Sequence, residues 1–293
     1  MFKLEYIFIL LIYKMGNYFS LPNDSNTYRI LSYNVEWGFL KIPSDITHDS
    51  CGHKIPNTDK AQQQHLKLIS KNIGLLQPDI CFLQEIGSLK AIQFISDAIL
   101  SMFNIKYSVY YSNGDETGFQ GVGLLVQEQL DSYCTVTTIP NFKLNRALGI
   151  DFNLNNVNYK FIGVHLKSLY DGKYSKDVDE QISQINSVLD WVGDCENVIF
   201  CGDFNNVPSS SPIKGVISNK YTNILDTNKY VENISGNKST EFSDSKSHSS
   251  STIDYMFVNN LNSLVSSHII SFQRVATNFD KDLRGENSDH LPI

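Results

Sequence analysis

Short apolar runs with the composition of β-strands recur along this chain, and segments with helical spacing lie between them. The β-like runs cover residues 29–35, 79–83, 121–126, 148–154, 159–164, 198–201 and 253–258. Apolar side chains repeat at intervals typical of an amphipathic helix over residues 59–76, 92–102 and 178–192. Many short strands with a few interspersed helices predict an α/β (α+β) fold, in which helices cover stacked β-sheets.

Four of these runs lead into a polar side chain that is capable of chemistry. Asn34 lies near the end of the first run, and Glu85 follows the run that ends at residue 83. His165 follows the run that ends at residue 164, and Asp203 follows the run that ends at residue 201. If these strands lie side by side, their ends bring the four side chains to one rim, where sites are commonly assembled.

Two local patterns add further polar side chains. Asp203 and Asn205 are two residues apart in the sequence GDFN, so in an extended backbone both point to the same side. Asp289 and His290 are adjacent in the terminal sequence SDHLPI and would face opposite sides of a strand. Their joint action therefore requires a bend, which the following proline favours.

The acidic and amide side chains of these segments offer hard oxygen ligands, which suit Mg²⁺ or Mn²⁺ better than zinc. They are Asn34, Glu85, Asp203, Asp254 and Asp289. Such an ion neutralises a phosphate while water attacks it, and His290 is a natural acceptor for the proton of that water. No G-x-S-x-G sequence is present, and no cysteine has an evident histidine partner. The residues therefore favour metal-dependent phosphate-ester hydrolysis over a serine or cysteine nucleophile.

Charge and cysteine content limit the class of protein further. The formal net charge of −7 excludes a strongly basic nucleic-acid coat, although a locally basic groove remains compatible with it. The five cysteines are scattered and lack CxxC spacing. We interpret them as reduced and mostly buried, which favours an intracellular, cytoplasmic protein. We expect a monomer and infer no protein partner.

The first 27 residues form a separate N-terminal segment in this interpretation, and residues 28–293 form one domain. The apolar stretch 6–13 is too short to span a bilayer and lacks a signal-peptide cleavage site. If translation starts at Met15, the sequence MGNYFS fits the N-myristoylation pattern, with Gly16 as the acceptor. Membrane association would follow, although one acyl chain attaches a protein only marginally, and a chance match explains the pattern equally well.

Six motifs, in this order, resemble those of the endonuclease/exonuclease/phosphatase superfamily. They are LSYNVEW (31–37), LQEI (83–86), GVHLKS (163–168), GDFNNVP (202–208), IDYMFV (253–258) and SDHLPI (288–293). The resemblance covers nearly the whole chain. It implies a four-layer sandwich of two mixed β-sheets flanked by helices, as in pancreatic deoxyribonuclease, with the site at one rim.

The resemblance also implies a metal site for Mg²⁺ or Mn²⁺. By position, Glu85 resembles the principal metal ligand, and Asn34 and Asp289 lie close to the ion. Arg146 and Lys167 are weaker candidates for substrate binding, because a solvated surface charge is the more common interpretation of a lone basic residue.

Catalytic roles follow from the same resemblance. His290, paired with Asp254, resembles the general base or the histidine that activates the phosphate. Asp203 would orient the attacking water or assist the leaving group, and Asn205 and His165 would hydrogen-bond the phosphoryl oxygens. Each residue taken singly has an ordinary structural interpretation, such as a turn acid or a core histidine. The shared order of six motifs favours the catalytic one.

Three functions compete. The first is a Mg²⁺-dependent phosphodiesterase acting on nucleic acid, a DNA or RNA nuclease. The second is a lipid or small-molecule phosphoesterase of the sphingomyelinase kind, which membrane attachment through Gly16 would favour. The third is an inactive binding homologue, which a missing strand after His290 would favour and the intact polar set opposes. Aromatic residues near the rim, such as Trp37, Phe39 and Tyr170, suit either a base or a lipid and do not decide.

Overall fold

The computed structural model describes residues 28–40, 58–113, 120–169, 174–224, 231–233, 253–260 and 267–269. The strands are β1 Ile30–Gly38, β2 Ile80–Ile86, β3 Tyr107–Tyr111, β4 Gly121–Gln127, β5 Cys134–Thr138, β6 Ala147–Leu154, β7 Val157–His165, β8 Val198–Asp203, β9 Thr222–Asn223, β10 Val231–Asn233, β11 Asp254–Val258 and β12 Ser267–Ile269. The helices are α1 Asp59–Leu76, α2 Leu89–Phe103, α3 Glu128–Asp131, α4 Tyr174–Val192 and α5 Ser211–Ser218, with a 3-10 turn at Lys143–Asn145. The N-terminal segment 1–27, with the expected lipidation site Gly16, lies outside the described residues.

Two large mixed sheets form the body of the described fold. One has the strand order β1-β2-β4-β3, and the other has the order β5-β6-β7-β8-β11-β9. Each contains one parallel pair, β1 with β2 and β7 with β8, and antiparallel pairs elsewhere. Strands β10 and β12 form a separate parallel pair.

Side-chain alternation along β2 divides the first sheet between two cores. Ile80 and Phe82 enter a central cluster, which also contains buried residues of the second sheet. Cys81 and Leu83 point to the opposite face and join buried side chains of α1 and α2. The first sheet is therefore covered by helices on one face and by the second sheet on the other.

The second sheet shows the same division. Ile199 and Cys201 of β8 lie in the central cluster, whereas Phe200 lies in a third cluster with Val188 of α4 and Ile213 of α5. The layers thus run helix, sheet, sheet, helix. The predicted four-layer sandwich is confirmed.

Capping residues set the ends of the first two helices. Thr58 and Ser88 accept hydrogen bonds from the amides of Ala61 and Ala91, which satisfies donors that a helix N-terminus leaves unpaired. Helix α1 ends in the left-handed residue Gln77, directly before a proline. No α-helix in the described segments has both the length and the apolar character needed to cross a membrane.

Glycine permits close approach at two positions near the ends of the central strands. A Cβ on Gly163 of β7 would lie 2.2 Å from the Phe82 ring of the other sheet, so this glycine lets the two sheets approach. Gly202 of β8 has a φ of +138°, and a Cβ there would lie 2.0 Å from the Val164 carbonyl oxygen. Backbone and packing both require glycine at residue 202.

We expect Gly202→Ala to destabilise the protein by roughly 3 kcal/mol, because it adds backbone strain to a collision with a neighbouring strand. The measurement is the urea unfolding midpoint at constant slope. Gly215→Ala is the matched control, since a Cβ there meets nothing within 4 Å and the site lies inside α5. Equal midpoints for the two variants would contradict the account.

Candidate active site

The strand pairing brings several predicted site residues to one edge of the sandwich. In the parallel pair β7–β8, His165 lies opposite Asp203. Strand β11 runs antiparallel to β8, so its first residue, Asp254, also lies opposite Asp203. In the other sheet, Asn34 of β1 lies opposite Gln84, next to Glu85.

This edge is the polar end of the central core. Along β8, Ile199 and Cys201 belong to the central cluster, and Asp203 is the next side chain on that face. Along β7, Phe161 belongs to the same cluster, and His165 continues that face. Asp203 and His165 are only 1% and 3% exposed, so their polar groups lie in a largely water-excluded setting.

Glu85 reaches the site through a break in the strand pattern. Regular alternation would place it on the face of Leu83, toward α1 and α2. Its φ is instead +61°, and the β1–β2 register shifts before resuming at Gly38 and Ile86. A left-handed backbone costs a non-glycine residue about 1–2 kcal/mol and persists where surrounding contacts enforce it.

Three donors fix the carboxylate of Glu85. Its Oε2 accepts from the backbone N–H of Trp37 at 3.2 Å and from Nε2 of Gln120 at 2.9 Å. Its Oε1 accepts from Nδ2 of Asn34 at 3.2 Å. Trp37 and its neighbour Glu36 have φ values of +56° and +44°, so the backbone around the donor is itself a strained bulge.

Asn34 bridges the two acidic side chains and is fully buried. Its Nδ2 donates to Glu85 and also to Oδ2 of Asp203, at 2.9 Å. Its Oδ1 accepts from the N–H of Glu36 at 3.0 Å. The amide nitrogen of Asn34, rather than its oxygen, therefore faces the carboxylates in this structure.

Asp203 is the other centre of the cluster. Its Oδ1 accepts from the N–H of Asn205 at 2.7 Å, and its Oδ2 lies 3.7 Å from Nε2 of His165. The ligand atoms of Glu85, His165 and Asp203 all lie within 4.8 Å of one another. Two carboxylates this close repel each other, so the arrangement favours a bound cation, and its oxygen-rich donor set fits Mg²⁺ or Mn²⁺.

Arg146 adds positive charge beside this cluster. Burial lowers the pKa of its guanidinium, whereas the negative charges of Glu85 and Asp203 raise it. Its carbonyl oxygen accepts from the N–H of His165 at 2.9 Å, which ties it to the end of β7. Arg146 is thus half-buried at the site and is not a fully solvated surface charge.

The remaining predicted residues divide into placed and unplaced ones. The Asn205 side chain donates to the Leu166 carbonyl at 3.1 Å, and Lys167 is half-buried in the same loop. Asp254 is 2% exposed. Asp289 and His290 lie outside the described residues, as does Tyr170.

Of the two described aromatic candidates, only Trp37 retains substantial exposure. Phe39 is 2% exposed, and Gly87 lies so close that a Cβ there would be 2.2 Å from its ring. The Trp37 ring is half-buried and lies 5.8 Å from the Phe39 ring, centroid to centroid. Phe39 therefore supports Trp37 from within the core.

Sequence reasoning missed Gln120. It directly precedes β4, and β4 runs antiparallel to β2, so its start lies beside the end of β2 that carries Glu85. Only the pairing of β2 with β4 places Gln120 at the site, and the sequence alone does not reveal which strands pair.

Three of the four described cysteines are poor nucleophiles. Cys81, Cys134, Cys195 and Cys201 are free thiols. Burial raises the pKa of Cys81 well above its ordinary value and raises those of Cys134 and Cys201 to about 12. A thiol in this state is protonated at neutral pH and unreactive.

Comparison with solved structures shows several similar folds. An endonuclease/exonuclease/phosphatase family protein from Leptotrichia buccalis matches with a TM-score of 0.59 and 14% identity, over 90% of this chain and 96% of that chain. D. rerio TDP2, solved with a single-strand DNA product, matches with a TM-score of 0.56 and 15% identity, over 90% and 95%. An AP endonuclease from Archaeoglobus fulgidus matches with a TM-score of 0.57 and 14% identity, over 90% and 96%. These likenesses are of fold.

Comparison with curated protein sequences found no significant match. The sequence model of the Endonuclease/Exonuclease/phosphatase family matches residues 31–275. That span includes both large sheets and the clustered side chains at their common edge. The chain therefore belongs to the Endonuclease/Exonuclease/phosphatase family.

Proposed function

We propose that this protein is a metal-dependent phosphodiesterase that hydrolyses nucleic acid with Mg²⁺ or Mn²⁺. The observation that carries the proposal is the cluster of half-buried Glu85 with buried Asp203 and His165, whose ligand atoms lie within 4.8 Å of one another, beside the half-buried Arg146. The family includes both nucleases and phosphatases, which share the cleavage of a phosphate ester.

In this proposal Glu85 is the principal metal ligand, and Asn34 and Asp289 lie close to the ion. A bound divalent cation would supply charge neutralisation at the phosphate and lower the pKa of an attacking water. Direct ligation by Asn34 would require its amide to rotate, because Oδ1 now accepts from Glu36. In its present orientation Asn34 instead holds the two carboxylates together.

Asp203 would orient the water, and His290, with Asp254 as its partner, would accept the proton. The new bond joins the water oxygen to phosphorus, the ester bond to the leaving oxygen breaks, and the proton passes to that oxygen. Both carboxylate oxygens of Asp203 have fixed donors, Asn34 Nδ2 and the Asn205 N–H, so its position is set before substrate binds. Such preorganisation lowers the barrier because no reorganisation is needed during the reaction.

Arg146, His165 and Asn205 would contact the phosphoryl oxygens, with Lys167 at the edge of the site. The negative charges of both Glu85 and Asp203 act on the Arg146 guanidinium and raise its pKa. A guanidinium matches phosphate geometry with two parallel hydrogen bonds, and its charge would stabilise the transition state.

Nucleic acid is the substrate that we favour. One protein of similar fold was solved with a single-strand DNA product, and another is an AP endonuclease. Trp37 offers an aromatic ring at the rim, next to the cluster that its own N–H helps to hold. Stacking of bases on such rings contributes about 1–3 kcal/mol per base without requiring a particular sequence.

The substrate test uses purified protein with Mg²⁺, Mn²⁺ or chelator against single-stranded DNA, double-stranded DNA, polyadenylated RNA and sphingomyelin. We expect cleavage of at least one nucleic acid, dependent on the ion. Cleavage of sphingomyelin alone would replace the proposal with the lipid alternative.

We expect Glu85→Gln to lower the metal-dependent rate by about 100-fold or more. Even the loss of a residue that only hydrogen-bonds a metal ligand typically lowers metal affinity or activity by about 10–100-fold. The neutral amide keeps the shape of the side chain but removes its charge. The matched control is Asp151→Asn, which also removes a carboxylate charge. Asp151 lies in β6 and pairs with Lys160 of β7. A similar rate for the two variants, measured at saturating Mn²⁺, would refute the role of Glu85.

We expect Arg146→Met to lower kcat/KM by roughly 100-fold, the size of effect seen when a preorganised charge-stabilising donor is lost. Lys106→Met is the control, because that lysine is exposed and paired with Glu128 on the surface. Steady-state kinetics at fixed ionic strength separates the two. If kcat/KM falls equally in both variants, Arg146 acts only through its contribution to the overall charge of the protein.

A further inference from the structure

Two glutamines of α4, Gln181 and Gln184, are fully buried, with 0% exposure each. Three residues apart on a helix, they lie on the same face. Polar side chains are rarely fully buried unless they are hydrogen-bonded, so their partners indicate what this face of α4 does.

Gln181 joins the loop after β7 to the loop after β8. Its Nε2 donates to the Lys167 carbonyl at 2.6 Å and lies 3.3 Å and 3.4 Å from the carbonyl oxygens of Phe204 and Asn205. Its Oε1 accepts from Nδ2 of Asn206 at 2.8 Å. One side chain therefore contacts the backbone next to both His165 and Asp203.

Gln184 extends this link to a third segment. Its Oε1 accepts from the Lys167 N–H at 3.0 Å, and its Nε2 donates to the Lys143 carbonyl at 3.1 Å. Lys143 begins the 3-10 turn that directly precedes Arg146. Both polar atoms of the Gln184 side-chain amide are therefore hydrogen-bonded to backbone groups near the site.

The segments that these glutamines contact include strained residues. Leu144, Asn145 and Asn205 have φ values of +70°, +49° and +49°. Left-handed residues persist only where the surrounding structure over-determines them. Two further hydrogen bonds involve the same loops. The Leu166 N–H donates to the Asp203 carbonyl, and the Tyr255 hydroxyl donates to the Asn206 carbonyl.

We propose that Gln181 and Gln184 are positioning residues, which hold the loops carrying His165, Asp203 and Arg146 in one arrangement. Neither glutamine needs to touch the substrate, because each acts through backbone groups. The kinetic part of this inference rests on the proposed function. Misplacement of reacting groups by a fraction of an ångström slows the chemical step more than it weakens substrate binding, so the effect should fall on kcat.

The test compares Gln181→Met with Val188→Ala. Methionine matches the volume of glutamine but cannot form its hydrogen bonds, whereas Val188 is a fully buried apolar residue of the same helix. Amide hydrogen exchange reports loop order, and hydrolysis of thymidine 5′-monophosphate p-nitrophenyl ester with Mn²⁺ reports kcat and KM. Both are measured well below the unfolding temperature of each variant.

We expect Gln181→Met to raise exchange in residues 165–168 and 203–206 and to lower kcat by about tenfold or more, with a smaller change in KM. Val188→Ala should lower thermal stability while leaving both readouts near wild type.

Unchanged exchange in the two loops, or a kcat equal to that of Val188→Ala, would each overturn the positioning role. If the wild-type protein does not hydrolyse the ester, the proposed function fails for this probe, and the exchange comparison alone decides for or against the glutamines.

Discussion

Glu85 and Asp203 belong to different sheets, yet their carboxylates lie side by side at the end of a buried core, bridged by the amide of Asn34. Within 4.8 Å and at an effective dielectric constant of about 20, their mutual repulsion is about 3.5 kcal/mol or more. The surrounding donors offset part of this cost, as does the charge of Arg146. The rest of the structure can be understood as the means of holding this pair together.

Both sheets contribute to that task. Gly163 lets β7 approach the Phe82 ring, and Gly202 lets the end of β8 pass close to the Val164 carbonyl. On the inner faces of β7 and β8, Phe161, Ile199 and Cys201 are apolar. Only the last side chains on these faces, His165 and Asp203, are polar, so a well-packed core ends in the site. Stability and function are therefore linked at this edge, because the same strands that bury the core also aim the acids and the histidine.

The sequence predicted the parts of the fold that local physics determines. The apolar runs became strands β1, β2, β4, β6, β7, β8 and β11, and the segments with helical spacing became α1, α2 and α4. The edge strands β3 and β5 were not predicted, because each pairs with only one neighbour and is partly exposed, which leaves a weak alternation pattern. Their existence depends on the strand beside them.

The candidate site divides in the same way. Asn34, His165 and Asp203 follow from strand ends, but the orientation of Glu85 depends on a bulge that reverses the expected alternation. Gln120, Gln181 and Gln184 have no motif of their own, because their roles come from contacts between distant elements.

The most direct test of the central claim is X-ray diffraction at the manganese absorption edge from crystals soaked in Mn²⁺. We expect an anomalous peak within direct coordination distance of a Glu85 carboxylate oxygen, on the side facing Asp203. A soaked crystal with no such peak, or with peaks only elsewhere on the protein, would contradict it.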